Sequence, residues 1–212
     1  DGQAPSEVIR GILEHFADAV EQCSMLVRTE ERLDRSWNAA LEQHGFQPRP
    51  QTLLVLSARG GEPEPAQELQ VVSARAVVPA YRRFLVEVMS DTGRASQAAT
   101  QLARAEAGFL DADTLDVLVA RHEGQIVGSV GVLTVSEFGI LRGLNMAPGA
   151  PDSAVSTLLW HLLDLCSRSQ LRQLIAAVDD GAERSRAAFE RIGMVRVESM
   201  ETYVAAGFEP LA

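Results

Sequence analysis

The amino-acid sequence predicts an α/β protein, of the α+β kind with a mixed sheet, and two stretches carry that prediction. The stretch from Phe138 to Met194 is typical of a strand, a loop, a helix, a second strand and a second helix in succession. The stretch from Leu115 to Val135 is typical of two strands joined by a tight turn, because Glu123-Gly124 supplies a turn pair between two apolar runs. Together they predict a mixed sheet with helices between its strands.

Composition limits the classes of protein that the chain can represent. Its 212 residues suffice for one well-buried domain or for a domain and a half. The hydrophobic share is 46%, and no apolar run approaches the roughly 18 residues that cross a bilayer, which argues against a membrane span. The net charge of −10 argues against nucleic acid and anionic membranes as partners, because both bind clustered positive charge.

The N-terminus and the cysteines favour a cytoplasmic location. The first residues, DGQAPSEVIRG, contain neither a basic region nor a long apolar segment, and they lack an initiator Met, which suggests that upstream residues are absent. Cys23 and Cys166 both lie in helix-like segments among apolar neighbours, where a buried, reduced thiol is commoner than a disulfide.

The first 58 residues predict the order helix, strand, helix, strand. In the first helix, apolar residues recur every three or four positions after a candidate N-cap at Ser6. Gly45 ends the second helix, and the last strand is rich in branched residues. The predicted elements are helices at Pro5–Glu21 and Leu33–His44 and strands at Ser24–Thr29 and Gln51–Ala58.

A segment rich in Gly, Pro and Glu, Arg59 to Gln67, predicts a linker because it can neither pack a core nor hold a regular element. We therefore predict a partial unit at residues 1–58, a linker at 59–67 and a complete domain at 68–212. Before the hairpin, the second domain begins with a predicted strand at Leu69–Ser73 and helices at Val77–Met89 and Ser96–Leu110.

An internal repeat relates the N-terminal unit to the end of the chain. Five residues match at constant spacing in the two copies. Leu26, Ala39, Ala40, Glu42 and Gly45 correspond to Leu174, Ala187, Ala188, Glu190 and Gly193. The first sixty residues are thus predicted to copy the C-terminal half of the second domain. Chance matching between two Ala-rich helices is the alternative.

Residues Gln67 to Phe208 resemble the GCN5-related N-acetyltransferase (GNAT) superfamily in their order of elements. The local matches are ARHEGQIVGSVGV (120–132), LRGLNMAP (141–148) and AAFERIGMVRV (187–197), the last of which resembles the family's Tyr-x-x-x-Gly-Phe element. The resemblance implies a GNAT-like acyl-coenzyme A N-acyltransferase fold, preceded here by a half-GNAT unit.

The resemblance also implies a place for acetyl-coenzyme A as cosubstrate, in a gap where the family's fourth and fifth strands separate. The strand residues implied to line the pantetheine arm are Leu144, Asn145 and Met146. The loop residues implied to face the phosphates are Ala154, Val155, Ser156 and Thr157. A plain core strand is the alternative for the first set.

The phosphate loop departs from the family's pattern. Pro151 stands at the family's Arg position, Asp152 follows it, and Ala154 and Ser156 replace two glycines. Asp152 would place the wrong charge beside a phosphate, at a cost of roughly 1 kcal/mol or more at an exposed site.

The catalytic groups implied by the resemblance are partly missing. Phe189 replaces the Tyr that often protonates the leaving thiolate, and Ala182 replaces an Asn that commonly contacts the cofactor. Glu137, just before the fourth strand, is the best-placed candidate base, ahead of His122 and Asp179, with a solvated turn residue as the alternative. Tyr203 is the candidate replacement acid, with an interior aromatic as the alternative. No metal-ligand spacing is present.

The predicted function is therefore transfer of acetyl from acetyl-coenzyme A to a small amine. The alternative is a catalytically silent scaffold or acyl-coenzyme A sensor. The N-terminal unit lacks the first four strands, so the strand at Ser24–Thr29 is expected to have an unpaired edge. Upstream residues, a homodimer or a covering helix would each satisfy that edge.

Overall fold

The computed structural model describes residues 4–16, 24–28, 35–56, 65–91 and 96–205. The described helices are α1 (Pro5–Phe16), α2 (Arg35–Gln43), α3 (Val78–Asp91), α4 (Ser96–Gly108), α5 (Ser153–Arg168) and α6 (Glu183–Arg191). The described strands are β1 (Ser24–Arg28), β2 (Phe46–Leu56), β3 (Gln70–Ser73), β4 (Leu115–His122), β5 (Gln125–Val135), β6 (Phe138–Met146), β7 (Gln173–Asp179) and β8 (Val195–Ala205). Short 3-10 turns at Ala74–Val77 and Phe109–Asp111 flank α3 and α4.

Most predicted elements lie where the sequence places them, and the boundaries differ for local reasons. β2 begins at Phe46, five residues before the predicted Gln51, because its first residues include two prolines that weaken a strand signal. The predicted turn at Glu123-Gly124 has φ of 50° and 85°, as in a type I′ turn. The described residues exclude 17–21 of the predicted first helix, 29 of the first strand, 33–34 of the second helix, 57–58 of the second strand and 59–64 of the linker, and Cys23 also lies outside them.

The chain forms two compact units. The first comprises Asp1–Leu53, Val178–Ala182 and Val197–Ala212, and the second comprises Leu54–Ala177 and Glu183–Arg196. The predicted domain boundary at 59–67 stays a prediction, since most of that segment is outside the described residues.

In the first unit, β1 pairs with β8 in antiparallel fashion, with Ser24 opposite Val204. One edge of β1 is therefore occupied within the chain. Side-chain hydrogen bonds add to this unit: Thr52 Oγ1 donates to Asp180 at 2.8 Å, and Gln51 Nε2 donates to Asp179 at 2.7 Å.

In the second unit the strand order is β7-β6-β5-β4-β3. Strands β3 to β6 pair in antiparallel fashion, and β6 and β7 pair in parallel. A cluster of buried residues from α3, α4 and β4 covers one face of the sheet, including Phe84, Ala103 and Val119. Helix α5 covers the other face, where Leu158 is fully buried close to β5. The sheet is thus a layer between α3 and α4 on one side and α5 on the other.

The segments predicted to be copies share local geometry. Helices α2 and α6 both have nine residues, and β2 and β8 both have eleven. Both helices end at a glycine of positive φ, 77° at Gly45 and 96° at Gly193, and each glycine N–H donates to the Glu carbonyl three residues earlier at 3.0 Å. The shared cap supports the repeat, which stays a prediction.

Candidate functional site

A cavity of about 140 Å³ lies in the second unit between α3, α4 and the sheet. Its apolar wall comes from Met89, Leu115, Val117 and Gly131, and its polar groups come from Tyr81, Glu106, Arg142, Gly143 and Asn145. An engineered apolar cavity of about 150 Å³ holds benzene, so this space suits a ligand of about six heavy atoms. A small pocket with convergent polar groups is the usual form of a binding site.

A β-bulge in β6 brings two of the polar side chains to the cavity. Arg142 pairs with Gly131 of β5 and Asn145 pairs with Ser129, so that two residues of β6 lie opposite one of β5. Residues three apart in a regular strand point to opposite faces, whereas the extra residue returns both to one face. Gly143 provides the bulge with a φ of 57°, and Asn145 Nδ2 donates to the Gly143 carbonyl at 3.1 Å.

Arg142 is held by two neighbours at the mouth of the cavity. Its Nη2 lies 3.5 Å from Glu106 Oε1, and its guanidinium lies 5.4 Å from the centre of the Phe109 ring. The Arg142 and Glu106 side chains are 42% and 39% exposed. An exposed ion pair of this length contributes about 0–1 kcal/mol, so a ligand can separate the two groups at low cost.

Tyr81 is the most deeply buried polar group of the cavity, at 5% exposure. The pKa of Tyr81 is raised to about 12, mainly by burial and secondly by the Glu106 carboxylate, while the Ser129 hydrogen bond and the Arg142 charge oppose the rise. Tyr81 therefore keeps its proton at neutral pH. Ser129 is fully buried and also lies 3.5 Å from Asn145 Nδ2, so the three polar groups form one connected set.

Next to the cavity, β6 separates from its neighbour on the other side. The ladder between β6 and β7 contains Phe138, Gly139 and Ile140 opposite Gln173, Leu174 and Ile175, and ends there. Residues 141–146 of β6 therefore have no ladder partner on β7. Their backbone N–H and C=O groups on that edge remain available to a ligand, as on any strand edge.

The strand residues predicted to line a cofactor lie on both faces of β6. Asn145 faces the cavity, and Met146 faces α5, where its Sδ lies 2.8 Å from the point that a Cβ on Gly128 would occupy. Leu144 is half-buried within the bulge. The structure therefore brings Asn145 to the cavity but not Met146.

The predicted phosphate-loop residues open α5. Ala154 and Thr157 are fully buried, and the Thr157 hydroxyl accepts from the Ala66 N–H at 3.0 Å. Ser156 Oγ donates to the Ser153 carbonyl at 2.9 Å, and Val155 is half-buried. Asp152 is exposed at the N-cap position without a side-chain cap hydrogen bond. The buried side chains of Ala154 and Thr157 are therefore not accessible to a ligand from solvent.

The two predicted catalytic residues do not line the cavity. Glu137 lies in the turn between β5 and β6, where its carboxylate contacts Arg172 Nε at 2.9 Å and Nη1 at 3.4 Å. Gly143 lies six residues further on, about 20 Å along a strand at about 3.3 Å per residue.

Tyr203 belongs to the first unit and is 6% exposed. Its hydroxyl lies 3.0 Å from Glu201 Oε2 and 3.1 Å from Asn38 Oδ1. Burial raises the pKa of Tyr203, and the hydrogen bond and charge of Glu201 raise it further. Tyr203 thus has the contacts of an interior aromatic residue.

Sequence reasoning missed Tyr81, Glu106 and Arg142. Tyr81 and Glu106 occupy ordinary positions in amphipathic helices, so no local pattern distinguishes them. Gly143 was an available signal, since a lone glycine inside a strand often marks a bulge. Among the described residues no group of three or more His, Cys, Asp or Glu side chains is placed to hold a metal ion, and no helix is long and apolar enough to cross a membrane.

Comparison with known proteins supports the fold. No protein-family model and no curated protein matches the chain. A functionally unknown conserved protein from Staphylococcus epidermidis matches with a TM-score of 0.65 and 16% identity, over 95% of this chain and 79% of that one. A GCN5-related N-acetyltransferase from Sphaerobacter thermophilus matches with a TM-score of 0.58 and 18% identity, over 96% of this chain.

A tandem GNAT protein from the clavulanic acid biosynthesis pathway is also similar, with a TM-score of 0.61 and 14% identity over 90% of this chain. This chain spans 65% of that protein and 66% of the Sphaerobacter protein, about two thirds of their lengths. The chain therefore has the GNAT fold, which confirms the predicted fold class.

Proposed function

We propose that the chain is an N-acyltransferase that transfers an acyl group, acetyl in the simplest case, from an acyl-coenzyme A to a small amine. One observation carries the proposal. Residues 141–146 of β6 present a free backbone edge where β7 has separated, and the same residues present Arg142 and Asn145 to the cavity. The donor's pantetheine arm, bound along this edge, would bring the thioester at its end next to an amine in the cavity.

The free edge suits the donor's pantetheine arm, because a backbone with N–H and C=O groups exposed can pair with the amide groups of that arm. The first turn of α5 would then lie towards the phosphates with the positive end of the helix dipole, and the Ala154 N–H of that turn already donates to the Pro151 carbonyl at 2.9 Å. Asp152 opposes this part of the fit through its charge. The similar structures named as N-acetyltransferases share the fold and so favour acyl transfer as the type of reaction.

Glu106 is the carboxylate that meets the amine in this proposal, since it lines the cavity and Glu137 does not. The reaction forms a bond between the amine nitrogen and the acyl carbon and breaks the carbon–sulfur bond. An ammonium group loses two protons in the process. The first goes to the Glu106 carboxylate and from there to solvent, and the second goes to the departing thiolate, which leaves as the thiol.

Tyr81 has a different role in this proposal. With a pKa of about 12 it is too weak an acid to protonate a thiolate, whose own pKa is near that of cysteine, about 8.5. It retains its proton and donates a hydrogen bond to the acyl oxygen, where negative charge develops during attack. Fixed donors of this kind contribute about 10²–10³-fold to kcat.

The test is thiol release from acetyl-coenzyme A across a panel of small amines, beside calorimetric titration with the same donor. Glu106→Gln should lower kcat/KM about 10²–10⁴-fold and leave donor affinity within a factor of about three. The matched control is Glu87→Gln, an exposed position on α3, which should leave both unchanged. Absence of calorimetric heat at millimolar donor would contradict the proposal.

A second candidate is a catalytically silent scaffold or acyl-coenzyme A sensor. Two observations favour it: Asp152 is exposed beside the first turn of α5, and Phe189 is buried with no proton to donate. Donor binding without turnover of any amine would select this candidate. Asp152→Asn should then tighten donor binding several-fold, because it removes a like charge worth roughly 1 kcal/mol.

A further inference from the structure

The ion pair between Glu106 and Arg142 limits which charged groups the acceptor can carry. Both side chains line the cavity, they meet at a single distance of 3.5 Å, and about two fifths of each side chain is exposed to solvent. The Phe109 ring lies against one side of the Arg142 guanidinium at 5.4 Å, a cation–π contact that favours this position of the positive charge. A ligand that enters the cavity at this point must lie beside both charges.

A ligand with a single charge leaves one member of the pair without a partner. An amine bound to Glu106 displaces Arg142 and leaves the guanidinium without a negatively charged partner. A carboxylate bound to Arg142 displaces Glu106 and leaves that carboxylate without a positively charged partner. A ligand that carries both an ammonium group and a carboxylate satisfies both residues. The pair therefore favours a zwitterion.

The separation of the two partners also limits the separation of the ligand's charges. Because Nη2 and Oε1 lie 3.5 Å apart, a ligand whose ammonium group and carboxylate are close together meets both side chains with the smallest movement of either. An α-amino acid, with one carbon between the two groups, meets that condition better than a long ω-amino acid. A cavity of about 140 Å³ has room for about six heavy atoms, the number in alanine.

We propose that the cavity binds a small free α-amino acid as the acyl acceptor, with its carboxylate on Arg142 and its ammonium group on Glu106. This inference rests on the transfer reaction proposed above and names its acceptor. Arg142 determines specificity and Glu106 both binds and deprotonates the amine. Polyamines and protein N-termini lack a carboxylate next to the amine and are poor acceptors.

The test compares alanine with ethylamine, alanine amide and 4-aminobutyrate, each with acetyl-coenzyme A as donor. The value of kcat/KM for alanine should exceed each of the others by about 10- to 100-fold, the usual worth of hydrogen bonds to a charged group. Arg142→Leu should bring the ratio of alanine to ethylamine close to one, and Arg142→Lys should restore part of it. The control, Arg82→Leu at an exposed position of α3, should keep the full ratio.

Calorimetry with alanine and no acyl donor distinguishes failure of the proposed amino-acid site from failure of the proposed transfer reaction. Alanine binding that Arg142→Leu abolishes, without any turnover, supports the amino-acid site and contradicts the transfer reaction. Turnover of amines with an alanine to ethylamine ratio near one overturns the amino-acid site and leaves the transfer reaction intact. Neither binding nor turnover overturns both.

Discussion

The two faces of the sheet in the second unit use the same strands for different purposes. On the α5 face, a Cβ added to Gly128 would lie 2.8 Å from Met146 and 3.0 Å from Leu158, so the glycine allows close packing. On the other face, Gly131 lines the cavity beside Tyr81 and Arg142. One glycine permits contact and the other preserves space. The contrast indicates that the α5 face is closely packed at Gly128, whereas the face of α3 and α4 combines a buried apolar cluster with space for a ligand.

The largest expected effect is on the α5 face. Leu158 is fully buried, so Leu158→Ala should lower the free energy of unfolding by about 2–5 kcal/mol through lost burial and an unfilled cavity. Leu165→Ala, on the same helix at a half-buried position, is the matched control and should cost clearly less. Urea denaturation measures both. Equal losses would mean that α5 does not pack as described.

A substitution in the β6 bulge, on the cavity face, should have an intermediate effect on the free energy of unfolding. Gly143→Ala places a side chain at a φ of 57° and should cost about 1–3 kcal/mol, while it displaces Arg142 and Asn145 from the cavity. The matched control is Gly108→Ala, in right-handed helical conformation with no atom within 4 Å of the added Cβ.

The control variant Gly108→Ala should leave the free energy of unfolding unchanged or raise it by up to about 1 kcal/mol. Urea denaturation gives the stabilities, and calorimetry with alanine reports the cavity. Retained alanine affinity in Gly143→Ala would show that the bulge does not position the binding groups.

The fold was largely predictable from the sequence because local signals agree with it. Apolar periodicity placed α5, and the Glu123-Gly124 pair placed the β4–β5 turn. The site was much less predictable, since its side chains come from α3, α4 and β6, which are distant in sequence. Arg142 and Asn145 share a face only because of the bulge, and a prediction from strict alternation would separate them.

The assignment of Glu137 rests on its proximity in sequence to the predicted fourth strand, and that of Tyr203 on its place in the closing strand, which explains where both differ from the cavity residues. Glu137 adjoins that strand at its beginning, whereas the cavity lies near its end. Glu106 approaches the same strand from a helix more than thirty residues earlier, through the Arg142 contact. Contacts of that range have no signature in a single sequence.

A smaller effect should appear in the pH dependence of stability. The raised pKa of Tyr81, about 12, means that above pH 10 the unfolded chain loses this proton while the folded chain keeps it. Stability from this group is complete below pH 10 and falls as pH rises towards 12, by about 1 kcal/mol between pH 9 and 11. Tyr81→Phe should remove that part of the fall in urea denaturation.

The Tyr81 titration can also be observed directly. The chain has two tyrosines, so Tyr81 is the only one left in Tyr203→Phe. Ultraviolet absorbance of that variant should show ionisation near pH 12. Ionisation near pH 10 would show that the polar wall of the cavity is open to water, and the contrast between the two faces would be stronger than described.

The smallest expected effect concerns Glu137. Its ion pair with Arg172 joins side chains that are 42% and 73% exposed, and such pairs contribute about 0–1 kcal/mol. Glu137→Gln should therefore lower the free energy of unfolding by less than about 1 kcal/mol and leave acyl transfer unchanged, in contrast to Glu106→Gln. Urea denaturation and thiol release measure the two quantities. A loss of activity of ten-fold or more in Glu137→Gln, with full activity in Glu106→Gln, would move the reacting amine from the cavity to the beginning of β6, because a carboxylate can remove a proton only within hydrogen-bond reach or through one water.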